Sequence, residues 1–166
     1  MGQEKKYIIA VTVDNEPGVL ARVIGLFSGR GYNIESLTVT EVEHSRHLSR
    51  ITIVTSGTET ILEQIKAQLS RLIPVHQVLD LTSEASNLSR ELFIAKIKRS
   101  KPIEKKLAIL NKKFGGKIIS RSEKFLILEL SGNSKKLDDF ISQVRSIGLI
   151  DSCRSGVVAV ANRKLE

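Results

Sequence analysis

Apolar residues along the chain switch between two periods. Between Lys6 and Val13 the β-branched run YIIAVTV has the composition of a strand, and Asn15-Glu16-Pro17-Gly18 ends it. Val19, Leu20, Val23, Leu26 and Phe27 then share one stripe, which predicts a helix opened near Pro17 and closed by Gly29 and Gly31. Two β-rich segments follow, Asn33 to Thr40 and Leu48 to Thr55, joined by the polar loop around Glu43-His44-Ser45-Arg46-His47, as in a hairpin. Ile61, Ile65, Leu69 and Leu72 predict a second helix, capped by Thr58 or Ser56 and ended by Pro74. With a strand at Val75 to Leu81 the order is βαββαβ.

The polar stretch TSEASNLSR, Thr82 to Arg90, reads as a linker, and the same order then returns. A strand at Leu92 to Ile97 precedes a helix on Ile103, Leu107, Leu110 and Phe114, with strands at Lys117 to Arg121 and Phe125 to Leu130. A helix on Leu137, Phe140, Ile141 and Val144 and a last strand near Val157 to Val160 complete it. The expectation is an α+β protein of two tandem ferredoxin-like units, residues 1–82 and 83–166. Each sheet would have helices on one face only. The other face still carries apolar residues, so association through sheet edges or faces is expected.

Composition narrows the function classes. No run reaches the roughly 20 apolar residues of a membrane span, and the start MGQEKKYIIAV lacks a secretory cleavage pattern, so a cytoplasmic protein without a membrane partner is expected. A single cysteine, Cys153, excludes an intrachain disulfide framework and is expected as a semi-buried thiol in a strand. The net charge of +8 raises the question of nucleic acid. Eleven of the basic residues, Lys96, Lys98, Arg99, Lys101, Lys105, Lys106, Lys112, Lys113, Lys117, Arg121 and Lys124, fall in one stretch. A ferredoxin-like sheet that binds RNA stacks bases on strand aromatics, however, and here Phe27, Phe114 and Phe140 are spent on helices. Nucleic acid is not the expected partner.

No catalytic constellation assembles. His44 and His47 sit in the hairpin loop without a nearby Cys or Asp cluster, and His76 alternates with apolar neighbours as a structural residue. Gly29-Arg30-Gly31 follows a helix, the reverse of a dinucleotide loop. Asp138-Asp139 reads as a carboxylate pair favoured at a helix start. No metal or cofactor is expected on this chain.

What remains is the pair of polar turns flanking the first helix. The N–H groups of Gly18, Val19 and Leu20 would attract a carboxylate, Gly18 would let a ligand approach the backbone, and the amides of Asn15 and Asn33 could hold either charged end of an amino acid. The two turns lie at opposite ends of one helix, so one pocket would need two copies. Turn punctuation by Asn, Pro and Gly is the competing reading.

The run NEPGVLARVIGLFSGRGYNIESLTV followed by HLSRITIV, then PVHQVLDL, REL with FIAKI, and CRSGVVAV, resembles the small regulatory subunits of acetolactate synthase (acetohydroxyacid synthase), whose N-terminal part is an ACT domain. The likeness covers nearly the whole chain and is least distinctive in the C-terminal half. It implies a non-catalytic protein that binds and activates a large catalytic subunit and confers feedback inhibition by L-valine. It also implies a homodimer through the ACT domains, with the effector between them at Asn15, Pro17, Gly18, Val19, Leu20, Asn33 and Ile34. Thiamine diphosphate, magnesium and FAD would belong to the catalytic subunit. A stand-alone ACT-type amino-acid sensor or a basic nucleic-acid-binding regulator is the alternative.

Overall fold

The computed structural model describes residues 4–82 and 87–162. The period-2 run at the start becomes strand β1 (Lys5–Asp14), whose Tyr7, Ile9, Val11 and Val13 enter a core with two helices. The first helix, α1 (Val19–Ser28), buries Val19, Val23, Leu26 and Phe27 on one stripe. Strands β2 (Ile34–Glu43) and β3 (Leu48–Gly57) form the expected hairpin around a single 3-10 turn at His44–Arg46. Helix α2 (Glu59–Leu69) is capped by Thr58, whose Oγ1 accepts the Ile61 N–H at 3.4 Å, and β4 (Val75–Asp80) closes the unit. The sheet order is β2-β3-β1-β4, which leaves one side of β2 open. Pro17 lies in the turn before α1 rather than inside its first turn, because Gly18 takes the N-cap place.

The second unit repeats the arrangement with β5 (Asn87–Lys98), α3 (Lys101–Phe114), β6 (Lys117–Arg121), β7 (Phe125–Gly132), α4 (Ser134–Arg145) and β8 (Leu149–Arg154), its sheet running β6-β7-β5-β8. Phe93, Ala95 and Ile97 of β5 meet Leu126, Leu128 and Leu130 of β7 beneath Leu107, Leu137, Phe140 and Val144 of the helices. Phe140 sits edge-on to Phe93 and Phe114, at centroid distances of 6.2 and 5.4 Å. The architecture is therefore α+β, two tandem ferredoxin-like units.

Several expectations need correction. The second sheet has five strands: β8, which the sequence reading did not anticipate, pairs with β5, and so does Val158–Ala161, near the expected Val157 to Val160. The stretch LIDSCR hides its identity because it pairs along one edge and sends only Leu149 towards the core. Residues 157–161 form β9 (Val158–Ala161) and its approach, and they cluster with residues 1–88; the second compact unit is 89–156. The division is thus displaced from 82/83, and the C-terminal stretch returns to the first unit. In the linker Thr82 to Arg90, residues 83–86 lie outside the described residues, and Asn87 to Arg90 already belong to β5. β9 also pairs with β5, whose first residues, Asn87 and Leu88, fall in the same unit as β9.

The return of the C-terminal stretch changes the picture of the first sheet. Its outer face, expected to need another chain, is covered in part by this chain: Val157 and Ala159 bury themselves against Ala10, Val54 and Leu81. Cys153, expected semi-buried, is exposed on β8. Asp138 and Asp139 do not begin a helix, since α4 starts at Ser134 under an Asn133 cap that accepts the Lys136 N–H at 2.9 Å. Asp138 instead meets Arg154 at 2.6 Å.

Candidate functional site

The turn from β1 into α1 is fixed by its backbone. The Asp14 N–H donates to the Pro74 carbonyl at 2.9 Å and the Asn15 N–H to that of His47 at 2.6 Å, tying the turn to the ends of β4 and of the hairpin loop. His47 adopts φ 49, the left-handed region that few non-glycine residues enter, to aim that carbonyl. Sequence reasoning gave His47 no such role, because a hairpin tip carries no signal of what its carbonyl meets. Asp14 is further held by His76 Nε2 at 2.6 Å.

Gly18 is the N-cap of α1 at φ 86, with no atom within 4 Å of the place a Cβ would occupy. No side chain caps this helix and no acid occupies its first turn, whereas α2 and α4 are capped by Thr58 and Asn133. Among the described residues the N–H groups of Gly18 and Leu20 have no acceptor; the Val19 N–H is used, donating to the Glu16 carbonyl at 3.3 Å. Of the three expected donors, two are therefore open. The Val19 side chain is core, while Leu20, Pro17 and Asn15 face outward. An open helix N-terminus beside a glycine that leaves room above it is a place for a small carboxylate.

Asn33 and Ile34 stand at the other end of α1, about 15 Å away for a helix of this length. The Asn33 carbonyl accepts the Thr55 Oγ1–H at 2.6 Å, its side chain is exposed, and Ile34 packs half-buried against the core. One chain does not bring these residues beside Asn15 and Gly18. The open side of β2 offers the edge along which a second copy would do so.

Elsewhere the chemistry is sparse. Among the described residues no group of three or more His, Cys, Asp or Glu gathers to hold a metal ion, and no helix is long and apolar enough to cross a membrane. No hydroxyl or thiol is hydrogen-bonded to His76 among them, so its pairing with Asp14 lacks a nucleophile. His44 is exposed, with Nδ1 2.8 Å from Glu41. Within the basic stretch, Arg99 is spent on Glu104 at 2.5 Å and on the Ser122 carbonyl, and the Lys96 ammonium lies 4.1 Å from the centre of the Phe125 ring. Lys101, Lys105, Lys106, Lys112 and Lys113 are exposed on α3.

Two family descriptions fit this chain in tandem. Residues 9–77 match the AHAS small subunit-like ACT domain and residues 90–163 match the small subunit of acetolactate synthase. The acetolactate synthase isozyme 3 small subunit of Escherichia coli is 41% identical over 155 residues, covering 93% of this chain and 94% of that protein. The chain belongs to the acetolactate synthase small-subunit family. A probable acetolactate synthase small subunit of Archaeoglobus fulgidus is 39% identical over 93% of this chain and 96% of its own length. The crystal structure of the small subunit from Thermotoga maritima superposes with a TM-score of 0.88 at 30% identity, over 97% of this chain and 99% of that one.

The ACT match begins within β1 and ends within β4, so both turns flanking α1 lie inside it. The second match runs past β8 into the segment that the structure assigns to the ACT unit. In this small-subunit chain the two named regions are therefore not two contiguous compact bodies.

Proposed function

We propose that this chain is the regulatory subunit of an acetolactate synthase in branched-chain amino acid biosynthesis. It performs no chemistry itself. It binds and activates the large catalytic subunit, which carries the thiamine diphosphate, magnesium and FAD, and it confers feedback inhibition by L-valine. The assembly would work in the cytoplasm.

The observation that carries the effector reading is the uncapped start of α1 at Gly18, with two open N–H groups and open space above the glycine. Valine's carboxylate suits those donors, and the Asn15 and Asn33 amides suit its ammonium group. Because Asn33 and Ile34 stand at the far end of α1, the complete site takes the turn of one copy and the β2 start of another, which makes the ACT domain the seat of a homodimer. Leu20 and Ile34 would meet the isopropyl group. Discrimination among valine, leucine and isoleucine should be weak, since one methylene is worth only about 1–3 kcal/mol even in a fitted pocket.

Calorimetric titration of the purified chain with L-valine tests this, followed by inhibition of the complex reconstituted with the catalytic subunit. Native chain should bind saturably. Asn15→Ala or Asn33→Asp should weaken binding and valine inhibition by about tenfold or more, which corresponds to a typical coupling of roughly 1–3 kcal/mol, and leave activation intact. Undiminished inhibition of both variants would remove these residues from the site.

A further inference from the structure

Strand β2 carries two sets of contacts. At its start the Asn33 carbonyl is pinned by Thr55 and Ile34 enters the core. On its outer face Ser36 Oγ accepts the Val157 N–H at 3.0 Å, and Thr38 Oγ1 donates to the Val157 carbonyl at 2.8 Å. One strand over, Arg50 Nη2 donates to the Ala159 carbonyl at 3.3 Å. All of these groups belong to the first compact unit. The C-terminal segment is therefore gripped by side chains that hold its backbone at both polar groups of one residue.

The grip is shallow. Two small side chains, Val157 and Ala159, seat the segment, and Val158 and Val160 stay exposed. Arg50 lies under it with its Nε buried without an acceptor among the described residues, and burial pushes its pKa below the ordinary value.

Between the effector end of β2 and this clasp lies an irregularity. The β2–β3 register shifts between Ile34 and Ser36, so that Glu35 is the extra residue, held by Lys6 Nζ at 2.6 Å and by Ser56 Oγ. Bulges are where a strand changes twist and re-aims its side chains. Ser36 and Thr38 lie about 10 and 17 Å along the strand from Asn33. From Val157 the chain leads back through Gly156, at φ 78, and Ser155 to β8 of the second unit.

We infer that Ser36 and Thr38 are positioning residues that couple effector occupancy at Asn33 and Ile34 to the seating of the segment Val157–Ala161. The segment is the element that carries the effector state out of the ACT sheet. This rests on the effector reading above and adds its route. Valine at the start of β2 turns the strand about Glu35, moves the two hydroxyls relative to Val157, and changes how firmly the segment is held.

Hydrogen–deuterium exchange of the full chain, with and without saturating L-valine, reads the Val157 amide directly. Valine should change exchange across 157–161 by about threefold or more, in line with typical coupling strengths. The pair Ser36→Ala with Thr38→Val should bind valine within about threefold of native by calorimetry, yet lose at least about half of the inhibition in the reconstituted complex. Thr38→Ser, which keeps the hydroxyl, should behave as native. Valine that binds without altering exchange at 157–161, or a double variant inhibited like native, overturns the coupling. Failure of native chain to bind valine overturns the effector reading and this route together, on a separate readout. Should the double variant fail to fold, exchange in the native chain decides.

Discussion

Both carboxylate oxygens of Glu91 rest on the guanidinium of Arg154. The Nη2 of Arg154 is 2.9 Å from Oε1, its Nε meets Oε2, and the glutamate side chain is only 4% exposed. Ser134 Oγ also donates to Glu91, and Arg154 reaches Asp138 at 2.6 Å and the Ser134 carbonyl at 3.4 Å, tying the start of α4 to β5 and β8. The hydrogen bond to Glu91 first, and then that to Asp138, hold the Arg154 pKa above its ordinary value against the opposing effect of burial. Removing the cation strands a buried carboxylate, so Arg154→Ala should cost about 3–5 kcal/mol. Replacing both partners, Glu91→Leu with Arg154→Leu, should recover most of that loss. Urea unfolding followed by circular dichroism checks both; a loss below about 1 kcal/mol in the single variant would mean that the pair does not hold the second unit together.

Gly18 stands in the left-handed region with empty space around it, so a methyl group there meets backbone strain and no clash. Gly18→Ala should therefore destabilise by about 1–2 kcal/mol, and Gly18→Asn by less, since asparagine enters that region more readily. Thermal unfolding of the two variants compares them. Equal losses would show that space, not conformation, reserves the position for glycine.

Glu35 links the bulge in β2 to acid stability. The hydrogen bond from Lys6, and then that from Ser56, hold its carboxyl below the ordinary value against a small opposing effect of burial. A depressed folded-state pKa contributes stability that is fully present above the unfolded value, about 4.3, and is lost as pH falls through the folded value. Lys6 is 72% exposed, so the contribution should not exceed about 1 kcal/mol. Lys6→Met should move the Glu35 titration, followed by NMR of the carboxyl carbon, up towards the ordinary value, with a smaller movement for Ser56→Ala. No movement in either variant would mean that these contacts do not persist in solution.

The periodicities of the chain were a sound guide wherever burial was one-sided. Val19, Val23, Leu26 and Phe27 sit on the buried stripe that their spacing predicts, while Leu20, expected with them, faces outward; Thr58 caps the helix it precedes. Reading failed at β8, where pairing along an edge leaves Ile150, Asp151, Ser152 and Cys153 exposed and no alternation survives. The partnership of Glu91 with Arg154 spans 63 positions and leaves no local pattern to read.

The candidate site divides in the same way. Asn15, Gly18 and Asn33 stand out as turn residues because turns demand particular residue types; that they hold a ligand is what the resemblance implies and the proposal above takes up. That Val19 uses its own N–H, that His47 fixes Asn15, and that Ser36 and Thr38 grip Val157 were not legible, because each depends on where a distant carbonyl or amide arrives.

By itself the sequence determined the two βαββαβ units, most of their core and the family, since these follow from local period, turn chemistry and residue identity. Only the tertiary structure decided that the C-terminal segment closes over the ACT sheet. The VVAV run reads as a strand, but its pairing with β5, the hydroxyls of Ser36 and Thr38 that meet Val157, and the apolar patch of Ala10, Val54 and Leu81 reach it only after the chain has folded back.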